Sequence, residues 1–216
     1  MREDGLIGPV EWSIAGRAMP GQEQSGDRGV VLDAGDGAVL LAALDGLGHG
    51  SGAAEATERA AKVLAENRGE PLDLLMVLCH RVMTDTRGAA VSLALFAEDA
   101  IHWLGVGNVE ARLLSAGPAG VTVRATALLT GGIVGYRLPQ TLKPQTVPVR
   151  AGDLLLMCTD GVLASVCEAI DLSKPTTEIT AGVIAEHTRE SDDALVLAAR
   201  SRRTSAESSG LGGRVR

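Results

Sequence analysis

Aspartates stand where apolar segments begin or end: Asp27 before the run at 30–32, Asp45 after 38–44, Asp160 after 154–159, and Asp192-Asp193 before 194–199. A carboxylate at a strand end lies beside the core and still faces solvent. If those ends meet, four or five like charges repel one another. A hard divalent cation held by oxygen ligands makes such crowding tolerable, and Mg²⁺ or Mn²⁺ suits the set. Zinc does not, because His49, His80, His102 and His187 are scattered and no cysteine pair has ligand spacing. Taken singly, each aspartate reads as well as a turn or cap residue as a ligand. The local sequence adds weight: Asp45-Gly-Leu-Gly-His-Gly50 sets three glycines between an apolar strand and a helix, and Asp160-Gly161 follows another apolar strand. Glycine lets a backbone carbonyl approach a cation closely.

Other chemistries fit less well. The glycines after Asp45 lack the GxGxxG spacing of a dinucleotide fold, and neither a GxxxxGK[ST] phosphate loop nor a GxSxG serine elbow occurs. A nucleophilic cysteine needs an open, electropositive site. Cys79 instead falls on an apolar helical stripe and Cys158 in an apolar strand.

The elements that must position these acids follow from hydrophobic period. Runs at 30–32, 38–44, 90–96, 101–106, 109–114, 153–158 and 194–199 read as strands. The turn at 105–108, with alternation after it, predicts an antiparallel hairpin between the two strands it joins. Helices are expected over 51–67, where Ala53, Ala60, Ala61 and Leu64 share a face, and over 72–86, where Leu72, Leu75, Met76, Cys79, Val82 and Met83 form a stripe. Two more are expected over 162–169 and 176–187. Strands, a helix pair, consecutive strands, helices and a closing strand make a layered α+β domain, not a doubly wound parallel sheet.

The chain of 216 residues is long enough for one domain, expected over 1–200, with a Ser-, Gly- and Arg-rich tail over 201–216 that lacks an apolar face. Its net charge of −7 and four aromatic residues (Trp12, Phe96, Trp103 and Tyr136) exclude a basic stripe or a base-stacking platform, so no nucleic-acid partner is expected. Three cysteines in apolar stretches predict no disulfide framework. The acidic start has no apolar signal region and no apolar run nears the roughly 18 residues of a membrane span, so a cytoplasmic protein with no membrane partner is expected.

Six motifs in order carry a family resemblance: Ser25-Gly-Asp27, Leu44-Asp-Gly-Leu-Gly-His-Gly50, Gly88-Ala-Ala-Val-Ser92, Gly105-Val-Gly-Asn-Val109, Gly152-Asp-Leu-Leu-Leu-Met-Cys-Thr-Asp-Gly161 and Asp192-Asp-Ala-Leu-Val196. In these the sequence resembles the metal-dependent 2C-like (PPM) serine/threonine protein phosphatases, in their SpoIIE-like branch, and within it the RsbX-type stressosome feedback phosphatases. The resemblance implies a layered αββα sandwich of two mostly antiparallel sheets flanked by helices. It implies two ions, Mn²⁺ or Mg²⁺, with Asp45 bridging them, Gly46 a ligand through its carbonyl oxygen, and Asp160 and Asp192 on the first ion. Asp45, Asp160 and Asp192 would thus carry the catalysis. Asp27 matches a position acting on the second ion through water, and Asp193 falls just behind the ligands. The implied substrates are phosphorylated STAS-domain proteins of the stressosome, whose dephosphorylation resets the stress response.

Two departures from the family pattern stand out. Leu47 occupies the place of a histidine proposed as general acid, with His49 two residues later, and Gly107-Asn108 replaces an aspartate of a third metal site. The family's phosphate-binding arginine has no aligned counterpart, although Arg28 adjoins Asp27. The Gly-rich segment 129–139 reads either as a loop over the site or as a surface connection. Two other functions share these features: a pseudo-phosphatase that binds a phosphoprotein, and a small-molecule phosphoesterase.

Overall fold

A computed structural model describes residues 1–97, 99–118 and 120–202. In chain order the elements are β1 (Arg2–Ile7), β2 (Val10–Arg17), β3 (Asp27–Gly35), β4 (Ala38–Gly46), α1 (Ser51–Glu66), α2 (Leu72–Val82), β5 (Ala89–Ala97), β6 (Ala100–Val106), β7 (Glu110–Gly117), β8 (Gly120–Thr126), β9 (Leu129–Thr130), β10 (Gln145–Pro148), β11 (Leu154–Cys158), α3 (Val166–Ala169), α4 (Thr176–Glu186) and β12 (Ala194–Ser201). One sheet runs β1-β2-β12-β11-β7-β8. The other runs β10-β6-β5-β4-β3, with β9 added parallel to β6.

Period-two alternation sorts the strand residues into layers. Val39, Leu41 and Ala43 of β4 meet Leu155 and Met157 of β11 and Leu195, Leu197 and Ala199 of β12 in the core between the sheets. The intervening Leu40, Ala42 and Leu44 face α1 and α2, against Ala56, Ala60, Leu64, Leu75, Met76 and Cys79. On the far side Leu154, Leu156 and Cys158 of β11 and Val196 and Ala198 of β12 face Val166, Ile179 and Val183 of α3 and α4. Three apolar layers separate four structural layers, which is the expected αββα sandwich.

The predicted 105–108 hairpin is a correction. β6 pairs with β5 and β10, while β7 pairs with β11 and β8, so the two strands lie in different sheets. Gly107 adopts φ 101 and packs against Ala90, where a Cβ would lie 2.4 Å from the alanine Cβ, and the chain crosses there from one sheet to the other. The helix expected over 162–169 begins only at Val166, because Leu163 N–H donates to His187 O (2.8 Å) and Val162 bridges Thr188. The N-terminal β1–β2 hairpin carried no apolar signal in its first strand: β1 is an exposed edge, held by its register from Arg2 opposite Ala15 to Ile7 opposite Val10. Of the tail expected from 201 on, Ser201 ends β12, and 203–216 lie outside the described residues. No helix among the described residues is long and apolar enough to cross a membrane.

Candidate metal centre

At one end of the sandwich the start of β3, the end of β4, the end of β11 and the start of β12 come together. Asp27 is the direct cross-strand partner of Asp45 in the β3–β4 ladder. Both continue the inward-facing rows, Asp27 with Gly29 and Val31, and Asp45 with Val39, Leu41 and Ala43. Like charges directly opposite on one face of a sheet destabilise it. Asp27 is 7% exposed. Burial, then the charge of Asp45, push its carboxyl up to about 8, against the lowering hydrogen bond from Thr159. Asp45 is raised to about 7 by burial and then by Asp160 and Asp192. Asp160 is raised as well, by burial and Asp192, while Arg189 opposes the rise. The acids that sequence placed on four separate strand ends therefore act on one another, and none forms an ion pair among the described residues.

Neighbouring donors hold these carboxylates. Thr159 continues the inward row of Leu155 and Met157, and its hydroxyl donates to Asp27 Oδ2 (2.7 Å), joining the two sheets across the site. The Thr159 Oγ1 in turn accepts from Leu195 N–H at 2.9 Å. Sequence reading passed over Thr159, although period-two counting from Leu155 already turned it inward. Asn108 Nδ2 donates to Asp160 Oδ2 at 2.7 Å, so this amide orients a neighbouring acid. Asp192 is half-buried and accepts from the Asp193 N–H at 2.9 Å. Asp193, 2% exposed, accepts from Met19 N–H and Gly26 N–H, both at 2.7 Å, and so fastens the 19–26 segment beside Asp27. Gly46 is glycine of necessity: a Cβ would stand 2.4 Å from the carbonyl oxygen of Ala53 in α1. Its N–H donates to Gly26 O at 3.2 Å.

The donor set suits a hard cation. It is all oxygen, it crowds negative charge beside the core, and no cation among the described residues forms an ion pair with it. Among the described residues no three His, Cys, Asp or Glu side chains already stand close enough to enclose an ion. His49 stays outside this arrangement: it is exposed, its carbonyl accepts from Arg87 Nη1 (3.2 Å), and its ring has no hydrogen bond among the described residues. Arg28, next to Asp27 on the strand, points to the opposite face of the sheet by alternation, and the two share the rim of a cleft with Ala54 and Glu58 of α1.

The Gly-rich 129–139 segment is fastened along its length. Val134 exchanges both backbone bonds with Ala89 (2.9 Å each), Gly135 N–H donates to His80 Nδ1 (3.0 Å), and Gly107 N–H donates to Thr130 O (3.0 Å). Tyr136 stands 81% exposed at its tip.

Comparison with known proteins agrees with this geometry. The pattern of Stage II sporulation protein E (SpoIIE) matches residues 35–208. No curated protein matches the sequence. A solved chain from the bacterial stressosome, described as a modular system adapted to control secondary messenger signaling, is 31% identical over 88% of this chain and 99% of its own, with a TM-score of 0.78. RsbX in complex with magnesium superimposes with a TM-score of 0.79 at 21% identity, covering 93% of this chain and 100% of that one. The catalytic domain of the serine/threonine phosphatase PstP with 2 manganese ions does so with a TM-score of 0.65 at 17% identity, over 88% of this chain and 97% of that one. With most of its length matched and the acids gathered at one end of the sandwich, the chain belongs to the SpoIIE family of PPM-type serine/threonine phosphatases.

Proposed function

We propose that this phosphatase hydrolyses phosphoserine and phosphothreonine on STAS-domain proteins of a stressosome, in the cytoplasm, using two divalent ions, Mn²⁺ or Mg²⁺, held by Asp45, Asp160, Asp192, the Gly46 carbonyl and, through water, Asp27. The observation that carries the reading is the placement of Asp27 opposite Asp45 on one sheet face, with Asp160 and Asp192 close enough to raise the Asp45 pKa. Phosphate monoesters hydrolyse extremely slowly in water, so a catalyst must provide a nucleophile at neutral pH and offset charge on the phosphoryl oxygens. The bound ions would supply an acidified water and Lewis-acid neutralisation, with no covalent enzyme intermediate.

The protein's own part is positioning. Asp45 faces Asp27 across the ladder and feels the charges of Asp160 and Asp192, which supports its reading as the ligand shared by both ions. Thr159 and Asn108 fix the orientation of Asp27 and Asp160 through single hydrogen bonds of 2.7 Å each. Asp193, spent on two backbone N–H groups, keeps the 19–26 segment against the site. With Asp27 and Asp45 at pKa values of about 8 and about 7, part of the protein carries protons there at neutral pH. Those protons leave as ions bind. The stressosome assignment draws on the relative that is 31% identical, and the net charge of −7 agrees with a protein partner over nucleic acid.

The test is hydrolysis of p-nitrophenyl phosphate with Mn²⁺, with Mg²⁺ and with chelator, followed by phosphate release from a phosphorylated STAS-domain protein. Metal-dependent turnover of both substrates is expected. Turnover of the small ester alone would point to a small-molecule phosphoesterase, and no turnover with either ion to a phosphoprotein-binding pseudo-enzyme.

A further inference from the structure

The proposed centre has a charge problem. Five carboxylates, Asp27, Asp45, Asp160, Asp192 and Asp193, face the four positive charges of two divalent ions. The site stays net negative while its substrate is a phosphate dianion. A further cation with free donors is needed, and the arginines around the site can be sorted by what they already hold. Arg17 is consumed: its guanidinium donates to Thr188 Oγ1 and to the carbonyl oxygens of Ala18, Arg189 and Asp192. Arg87 donates to the carbonyl of His49. Arg112 pairs with Glu110 and donates to Ala164 O and Cys167 Sγ. The Arg28 guanidinium makes no hydrogen bond or ion pair among the described residues, but on β3 Arg28 alternates with Asp27 and lies in a cleft shared by Asp27 and by Ala54 and Glu58 of α1.

Arg189 is as free of partners as Arg28, but it lies on the Asp160 side of the site. It is exposed, and its guanidinium has no hydrogen bond or ion pair among the described residues. It lines a cavity of about 110 Å³ that runs from Asp160, Asn108 and Thr159 toward Glu110 and Arg112 on the α3 side of the sheet, with Asp160 the candidate ligand at its edge. Its backbone is held on both sides, the N–H donating to Gly161 O at 2.8 Å and the carbonyl accepting from Arg17. Arg17 also donates to the carbonyl of Asp192, so one guanidinium fixes both a candidate ligand and the residue that carries Arg189.

We infer that Arg189 contacts the phosphoryl group of the substrate, taking the role of the phosphate-binding arginine that has no aligned counterpart at the start of this chain. The inference rests on the phosphatase reading above and adds a residue to it. A guanidinium offers a planar fork of donors that matches two oxygens of one phosphate, and such charge-assisted pairs are among the stronger hydrogen bonds.

The test titrates inorganic phosphate into the Mn²⁺-loaded protein by calorimetry, and measures KM and kcat for p-nitrophenyl phosphate, in wild type, R189A, R189K and R28A. R189A is expected to weaken phosphate binding and raise KM by about tenfold to a hundredfold, R189K to recover part of the loss, and R28A to match wild type. Mn²⁺ affinity and thermal midpoint should not fall in R189A, since the change removes a positive charge beside Asp160. Phosphate affinity in R189A equal to wild type overturns the inference, as does an equal loss in R28A or no phosphate binding by the wild-type protein. If phosphate binding depends on Arg189 but no ester is turned over, the catalytic reading fails and this assignment stands.

Discussion

The two ends of β11 carry aspartates that look alike in the sequence and live in opposite circumstances. Asp153, just before the strand, is 1% exposed and fully partnered: Ser115 and Arg124 donate to its carboxylate from β7 and β8, and Arg150 N–H adds a third bond at 2.8 Å. Asp160, just after the strand, meets Asp45 and Asp192, and among the described residues its only side-chain donor is an amide. A buried carboxylate that serves the fold brings its own cation. A group of carboxylates left without one costs stability and persists because something outside the chain supplies the charge. Both acids flank the same strand, but Asp153 is buried with a cation of its own, whereas Asp160 is exposed and faces other acids.

The comparison breaks most sharply at Asp45. Asp45→Asn keeps volume and removes one central charge. Metal-dependent hydrolysis should fall by about a thousandfold or more, while circular dichroism shows the fold retained and the metal-free protein melts no lower than wild type. Turnover near the wild-type level would remove Asp45 from the site. The reciprocal change, Asp153→Asn, strands Arg124 in a half-buried position. Removing one partner of a buried pair costs about 3–5 kcal/mol, which denaturant unfolding should register. The residual folded protein should keep its kcat.

Thr159→Val sharpens the contrast from within the acid cluster, since it removes the hydroxyl that orients Asp27 and retains the shape. Loss of such a supporting bond typically lowers metal affinity or activity by about tenfold to a hundredfold. The orphaned Leu195 N–H should cost a further ~1–3 kcal/mol of stability. Unchanged Mn²⁺ affinity would show that the Thr159 bond merely joins the sheets.

Much of this site was legible before any coordinates. Asp27, Asp45 and Asp160 stood out because apolar runs with alternating neighbours end at them, and α1 and α2 because Ala56, Ala60 and Leu64 or Leu75, Met76 and Cys79 recur at helical spacing. Register was not legible. That Asp27 falls opposite Asp45 depends on the irregularity between Asp33 and Gly35 at the β3–β4 turn, where one residue more or less would turn the acids to different faces. The 105–108 turn looked like a hairpin because Gly and Asn serve a sheet crossing as well as a tight turn, and only pairing with β11 and β5 decides between them. Arg189 gave no signal, since a lone arginine in a loop becomes informative only when its neighbours prove unable to satisfy it.

The smallest expected effect is on pH dependence. Asp27 and Asp45 rise from an ordinary 3.8 to about 8 and about 7 in the folded protein. Between those limits the folded state binds more protons than the unfolded one. Their contribution is fully present below the unfolded pKa and is lost as pH rises through 7 to 8. The metal-free protein should therefore melt lower at pH 8 than at pH 5.5, by several degrees or more (roughly 1 kcal/mol corresponds to 2–4 °C in a chain of this size), and excess Mn²⁺ should reverse the trend. A metal-free midpoint that climbs over this range would contradict the crowding of unpaired acids.

The most direct test of the central claim, that acids from four strand ends form one cation site, is calorimetric titration of Mn²⁺ into the wild-type protein and into Asp45→Asn at pH 7.5 in two buffers of different ionisation enthalpy. The account predicts two ions bound by the wild type with release of protons, and loss of both ions or severe weakening when Asp45 is replaced. Binding of equal stoichiometry and affinity in the two proteins, with no proton release, would contradict it.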